Sequence, residues 1–274
     1  MTPSDRDAVL AILDTAETHL TARAFVRETA TALQVSIPCA KAMLKALVTC
    51  GDLTYQEIFG ATCVVRNFQK PVQVTDHFLL IPPDIPGTAG PFDRVIRLLP
   101  GISFGSGHHP TTRLCLDAIE HLFFTLQMPA ALLQAPGADI GTGSGVLAIA
   151  LCRAGLSRCL AYDIDPNAVS EARKNVAANS LCDSIPVFDH PVPEIGPGLG
   201  IICANLRTPT LERLAPVMRR RIKPGGVLVF SGIREWEKDG LVTCFAGYRF
   251  HCIWKKKDKN WVGLVLTDTR EDHI

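Results

Sequence analysis

The sequence predicts an α/β protein: a doubly wound, seven-stranded sheet of Rossmann-like plan, preceded by a small winged-helix-like α+β domain. Three observations carry this expectation. Asp139-Ile140-Gly141-Thr142-Gly143-Ser144-Gly145 reads as a strand end, a glycine-rich turn and the opening of a helix. Strand and helix signals alternate from there to the tail, as a doubly wound sheet requires. Before residue 70 the pattern differs, with three amphipathic helices followed by a hairpin.

Composition sets the outer bounds. A chain of 274 residues holds one large domain or two modest ones, and 47% hydrophobic content with a formal charge of +1 is that of an ordinary soluble globular protein. Neither a global basic excess nor an acidic tail advertises nucleic acid. The start, Met1 to Asp7, lacks the basic-then-apolar plan of a signal peptide. No apolar run approaches the roughly 18 residues that span a bilayer. A cytoplasmic protein without a membrane segment is expected. The ten cysteines are scattered with no C-x-x-C pair, and several, such as Cys159, Cys203 and Cys252, sit in apolar contexts where a reduced thiol acts as a small hydrophobe. Reduced thiols and no structural metal are expected.

From Asp5 to Leu20, residues Val9, Ile12, Leu13, Ala16 and Leu20 recur at helical spacing. A second helix is expected from about Thr21 to Leu33, and a third begins near Pro38, which suits a first helical position, and ends at Gly51. Leu53–Ile58 and Ala61–Val65 flank Phe59-Gly60 as a hairpin. This order of elements resembles a winged helix-turn-helix. Its charges balance, however: Arg6, Arg23, Arg27, Lys41, Lys45, Arg66 and Lys70 stand against Asp5, Asp7, Asp14, Glu17, Glu28, Asp52 and Glu57. Phosphate binding wants a positive face, and the third helix offers only Lys41 and Lys45. Substrate docking or dimerisation is the expected role of residues 1–70, and DNA is not an expected partner. Residues 71–100 are rich in proline and read as a linker or a lead-in hairpin, with the main domain over residues 101–274.

Within that domain the expected strands are Ala138–Ile140, Arg158–Tyr162, Ile185–Asp189, Leu199–Ala204, Val227–Phe230 and a closing hairpin around Asp258-Lys259-Asn260. The first is a poor strand, because Pro136-Gly137 precede it. The fourth is an almost unbroken apolar run of the kind buried parallel strands show. It delivers Asn205-Leu206-Arg207 at its carboxyl end, where open α/β sheets bind ligands. Helices are expected over 145–154, 166–179, 210–221 and from about Glu235. Lys255-Lys256-Lys257 reads as a solvated face, or else as a docking patch for an acidic or RNA surface.

The chemistry concentrates at the glycine turn. Glycines allow positive φ and let a ligand lie against bare backbone, while a helix start offers free N–H groups. About twenty residues on, Asp163 puts a carboxylate at a second strand end, where it can take both hydroxyls of a ribose. A dinucleotide fingerprint needs a third glycine at the position of Val146, so that reading fails. Upstream, Phe104-Gly-Ser-Gly-His-His-Pro-Thr-Thr112 precedes a helix that His109, Thr111 and Thr112 can cap. It reads as a flap whose Phe104 ring and Thr112 hydroxyl close over a cofactor. His108 and His109 are adjacent, point apart and lack a third ligand nearby, so no metal is expected.

D-x-G-x-G-x-G with a downstream acid is similar to the motif of S-adenosylmethionine (SAM) methyltransferases. Together with the Phe104–Thr112 element, Asp163-Ile-Asp-Pro-Asn-Ala-Val169, Ala204-Asn-Leu206 and Pro224-Gly-Gly through Ser231-Gly-Ile233, it resembles the PrmA-type ribosomal protein methyltransferases over roughly residues 76 to 268. The resemblance implies SAM as cofactor, contacts to it from Thr112, Gly141, Asp163 and Asn205, and methylation of amino groups on the eleventh protein of the large ribosomal subunit. Phe104, Asp139 and Gly143 are expected to complete the cofactor pocket. Two departures bear on the substrate: the front domain does not resemble the family's ferredoxin-like unit, and Arg207 stands where the family usually has an aliphatic residue. Asn205 is the expected catalytic residue, accepting a hydrogen bond from the target nitrogen. The alternatives are the same transfer to another protein or a small molecule, and a DNA-binding regulator with SAM as effector.

Overall fold

The computed structural model describes residues 3–16, 20–58, 60–67, 71–83, 85, 89–99, 109–194, 196 and 198–270. The chain divides into two compact units, Met1–Lys70 and Pro71–Ile274. The first contains α1 (Pro3–Thr15), α2 (Ala22–Leu33) and α3 (Ile37–Thr49), then β1 (Leu53–Ile58) and β2 (Ala61–Arg66), which pair antiparallel. The first helix stops at Thr15, short of the expected Leu20. Thr21 and Ser36 cap α2 and α3 by accepting from the N–H groups of Ala24 and Cys39, and Pro38 lies in the first turn of α3. Val9, Ile12, Phe25, Leu44, Leu47, Leu53 and Val64 form this unit's core. Arg6 grips the buried Asp52 through two hydrogen bonds of 2.7 and 2.6 Å.

The second unit opens with β3 (Val72–Gln73), β4 (Phe78–Ile81) and β5 (Arg94–Arg97). The expected lead-in hairpin is thus β3 and β4, but β5 adds a third strand parallel to β4, so this stretch is more than a linker. Then follow α4 (Pro110–Glu120), a π-helical turn (His121–Thr125), α5 (Ala130–Leu133), β6 (Gly137–Ile140), α6 (Val146–Ala154), β7 (Cys159–Tyr162), α7 (Pro166–Ala178) and β8 (Val187–Phe188). The chain continues as β9 (Leu199–Asn205), α8 (Thr208–Arg221), β10 (Ile222–Arg234), a short 3-10 turn (Glu235–Glu237), α9 (Lys238–Ala246), β11 (Phe250–Asp258) and β12 (Trp261–Asp268).

The large sheet has seven strands in the order β11-β12-β10-β9-β6-β7-β8. β6 to β10 run parallel, and β12 and β11 close the edge antiparallel. The strand order reverses between β6 and β9, and the crevice at their carboxyl ends is the switch point where such sheets bind ligands. Alternate residues feed two cores. Ile201, Cys203, Val227 and Val229 face one layer with Leu116, Leu147 and Ile149, and Ile202, Ala204, Leu228 and Phe230 face the other with Leu211, Met218 and Phe245. That two-sided burial is why β9 reads as an apolar run.

Pro224-Gly225-Gly226, which falls between the helix expected over 210–221 and the strand expected over Val227–Phe230, lies inside β10. The register against β9 shifts between Ile222 and Val227, and Gly225 takes the positive φ (68°) of a bulge. The poor strand signal at Pro136-Gly137 also has a packing cause. A Cβ on Gly137 would meet the Leu156 and Ile201 side chains at 2.6 and 2.8 Å, so the strand trades propensity for close approach. The lysine run lies on the edge strand β11. Lys256 pairs with Asp117 at 2.8 Å and Lys257 with Glu235 at 2.6 Å, so two of the three charges are internal to the unit.

Gly200 in β9 packs beneath α5, and a Cβ there would fall on the Leu132 carbonyl. Gly200→Ala is expected to destabilise the protein by about 1–3 kcal/mol through overpacking. Urea unfolding checks this; an unchanged midpoint would show that α5 yields freely.

Candidate active site

Four loops meet the carboxyl edge of the parallel strands, and the glycine turn after β6 is the central one. Gly141, Gly143 and Gly145 all adopt positive φ, 71°, 54° and 84°, which only glycine takes without strain. The turn hangs on the neighbouring strand through the Gly141 and Thr142 N–H groups, both donating to the Tyr162 carbonyl (2.8 and 2.9 Å). Gly145 occupies the cap position of α6 and has no side chain to satisfy the helix start. Asp139, from inside β6, does that work instead. Its Oδ2 accepts from the Ala148 N–H (3.1 Å) and from the Thr142 hydroxyl (2.6 Å), so one oxygen fixes both the turn and the helix. Asp139 is wholly buried, and burial raises its pKa to about 6 despite those two bonds.

Asp163, just past β7, reaches across to the same turn. Its Oδ2 accepts from the Gly143 N–H (2.9 Å) and its Oδ1 from the Asp165 N–H (3.0 Å). An ionised carboxylate has about four acceptor positions, so each oxygen keeps capacity for a further donor. Asp165 caps α7, with Pro166 at its first turn. Between them Ile164 is 74% exposed, an apolar side chain beside the carboxylate that lies on neither face of the sheet.

β9 ends at Asn205, which pairs with Ser231 of β10. The next residue, Leu206, is clamped on two sides. Its N–H donates to the Ser231 carbonyl (3.1 Å), and a Cβ on Gly232 would meet the Leu206 carbonyl oxygen at 2.5 Å. Its side chain lies against Gly141, where a Cβ would sit 2.6 Å from Leu206 Cδ2. The glycines of two loops therefore fix the loop that carries Asn205. Beyond it, Glu237 Oε2 accepts from the Thr208 hydroxyl and the Arg234 N–H, both at 2.9 Å, and ties the start of α8 to the end of β10.

The fourth contribution is α4. His109 caps it, with Nδ1 accepting from the Thr111 N–H (3.3 Å), and its ring stands edge-on to Trp261 at 5.3 Å. Trp261 opens β12 opposite Arg234, which is the carboxyl end of the parallel strands, so the first turn of α4 and Thr112 belong to the same end. Arg113–Asp258 (2.6 Å) and Asp117–Lys256 (2.8 Å) hold the helix to the β11–β12 hairpin, and Leu114 packs on the bare Gly263. The Arg234 guanidinium stacks 3.8 Å over the Trp261 ring.

Of the expected site residues, Thr112, Asp139, Gly141, Gly143, Asp163 and Asn205 all belong to these four loops, and Phe104 lies outside the described residues. Asp139 braces the turn from beneath. Thr112 Oγ1, Asp139 Oδ1 and Asn205 Oδ1 are buried with no hydrogen-bond partner among the described residues. Such orphans cost about 1–3 kcal/mol each, a cost that a polar ligand would relieve at Thr112 and Asn205. Thr142, Leu206 and Glu237 were not singled out from sequence. Thr142 carried a signal as a hydroxyl within the glycine turn and Leu206 as part of the Ala204-Asn-Leu206 motif, whereas Glu237 carried none. Among the described residues no group of three metal-ligating side chains converges, and no helix is long and apolar enough to cross a membrane.

This strand order, with the glycine turn at its switch point, is that of the Rossmann-like methyltransferases. In the crystal structure of ribosomal protein L11 methylase from Lactobacillus delbrueckii subsp. bulgaricus, 99% of the chain superposes on 73% of this one with a TM-score of 0.63 and 27% identity. Residues 19–269 match the family described as Ribosomal protein L11 methyltransferase (PrmA), and the chain belongs to that family. The match runs further forward than the motifs alone indicated. The ribosomal protein L11 methyltransferases of Geotalea daltonii and Pelobacter propionicus are 33% and 38% identical over 73% of this chain. The shared stretch spans 65% and 63% of those relatives, somewhat under two thirds of their length.

The raised Asp139 pKa gives a pH signature. The folded state holds the proton more tightly than the unfolded one, so this stabilisation is fully present below the ordinary carboxylate pKa of about 4 and is lost as pH rises through about 6. Asp139→Asn cannot titrate. The stability of wild type minus that of the variant is expected to fall between pH 4 and 7 in urea unfolding, and a flat or rising difference contradicts the assignment.

Proposed function

We propose that this chain is a SAM-dependent protein methyltransferase acting on an amino group, lysine or α-amine, of a large-subunit ribosomal protein. Family membership and the names of the relatives support the ribosomal acceptor. The observation that carries the cofactor is the glycine turn, with Asp163 bonded to Gly143 and orphaned oxygens on Thr112 and Asn205 at the same sheet edge. These residues fit SAM. The remaining acceptor capacity of Asp163 suits a ribose diol, the exposed Ile164 suits an adenine edge, and bare Gly141–Gly143 backbone suits the methionyl part. Thr112 Oγ1 takes a polar hydrogen from the cofactor, and Asp139 serves it indirectly, by holding the turn.

SAM, when bound, supplies a methyl group on a positively charged sulfur that is already activated for displacement. The chain's task is alignment, which contributes on the order of 7–11 kcal/mol in well-oriented reactions. An amine acceptor must arrive neutral, and lysine's ordinary pKa of about 10.4 falls when the group is desolvated. Asn205 Oδ1 accepts a hydrogen from that nitrogen and turns its lone pair inward. The Leu206 clamp keeps Asn205 from drifting, and Arg207 and Thr208, braced by Glu237, form the rim that the acceptor crosses. The N-terminal unit, which we read as winged-helix-like, selects the partner.

Tritiated SAM with purified large ribosomal subunits tests this reading. A labelled ribosomal protein band is expected, and Asn205→Ala should cut the labelling rate roughly ten- to a hundredfold, the worth of one hydrogen bond in the transition state, with SAM affinity nearly kept. Label absent from ribosomal protein would refute the acceptor, and an unimpaired variant would refute Asn205.

A further inference from the structure

Asn175 on α7 and Asn179, the residue that caps the end of that helix, are buried to 0% and 3% exposure, and neither belongs to the site as described. A buried amide must place both a donor and an acceptor, and here each does so outside its own helix. Asn179 treats Arg97, the last residue of β5, as a neighbouring strand would. Its Oδ1 accepts from the Arg97 N–H (2.9 Å) and its Nδ2 donates to the Arg97 carbonyl (2.7 Å). Asn175 joins two different segments. Its Oδ1 accepts from the Leu99 N–H (2.8 Å), and its Nδ2 donates to the Ser144 carbonyl (2.8 Å) in the middle of the glycine turn. Asn179 Nδ2 also donates to the Asn175 carbonyl (2.8 Å), so the two act as one clamp.

We propose that Asn175 is a positioning residue for the glycine turn, setting its backbone for SAM by tying Ser144 to the strand exit at Leu99. The inference rests on the reading of that turn as the SAM site. Among the described residues, hydrogen bonds from β6 and from the end of β7 also hold the turn: Asp139 through Thr142, Tyr162 through Gly141 and Thr142, and Asp163 through Gly143. Asn175 supplies the anchor on the α7 side, and it grips Ser144, the residue between the two glycines of positive φ at 143 and 145. Gly145 itself sits 3.4 Å from Ala172 by its missing Cβ, so α7 backs the turn along its length. Only an amide of this reach meets an N–H and a carbonyl at once. Aspartate would keep the bond to Leu99 and set a carboxylate oxygen against the Ser144 carbonyl. Repulsion at the Ser144 carbonyl would shift the turn and let the Gly143 N–H swing away from Asp163.

The test compares Asn175→Asp with Asn179→Asp in the full chain, using SAM calorimetry and amide hydrogen exchange of ligand-free protein. Asn175→Asp is expected to speed exchange in the peptide spanning the glycine turn and to weaken SAM binding about tenfold, the worth of one buried hydrogen bond. Asn179→Asp should speed exchange only at the β5 end and leave SAM affinity within about twofold. Should Asn175→Asp not fold, Asn175→Ser, which removes both bonds without adding charge, is read the same way. Equal SAM losses in both variants, or an unchanged turn in Asn175→Asp, overturn the proposal. A wild-type chain that binds no SAM refutes the functional reading instead, and the exchange data still decide whether Asn175 holds the turn.

Discussion

The Asp139 carboxylate is the joint on which the second unit depends. A strand followed at once by a glycine turn and a helix leaves that helix uncapped, because the residue at the cap position, Gly145, has no side chain. Asp139 fills the role from within β6, bonding Ala148 and Thr142 with one oxygen. Burying a charge to do so is costly, as its raised pKa records. The result is a turn made largely of bare backbone yet held in place. A side chain at position 145 would press against Ala172 of α7 and be strained by the positive φ of 84°.

Around that joint, contact is made through glycines. Gly141 admits the Leu206 side chain, Gly232 admits the Leu206 backbone, and Gly263 admits α4. Each close approach brings a loop of a different strand to the same edge: Asn205 from β9, Ser231 from β10, Thr112 above β12. The second core layer, with α8 and α9, meets the edge at Thr208, the first residue of α8, which Glu237 links to the end of β10. The site is thus a property of sheet geometry, with polar side chains supplied one per loop.

Much of this was legible in the sequence, for physical reasons. Positive φ demands glycine, so the turn was readable. Burial on both faces makes β9 an apolar run. Pro38, Pro110 and Pro166 mark helix starts because only there is the missing N–H harmless. What stayed hidden depends on partners distant in sequence. β5, Arg94-Val-Ile-Arg97, carries two arginines in four residues and pairs with a strand on one side only, where β4 lies, while the Asn179 side chain completes its other edge at Arg97. The bulge inside β10 hides behind a Pro-Gly-Gly that falls between an expected helix and an expected strand. The π-helical turn and the four-residue α5 have no periodicity long enough to register. The roles of Leu206 and Asn175 were invisible because their importance lies in what touches them.

In the proposed function, the turn between Asp139 and Gly145, with Asp163, selects SAM over dinucleotides. Calorimetric titration of the full chain with SAM and with NAD tests it most directly. One SAM site per chain that Asp163→Ala weakens markedly, with no heat from NAD, is the predicted result. Saturable NAD binding, or SAM binding untouched by Asp163→Ala, would contradict it.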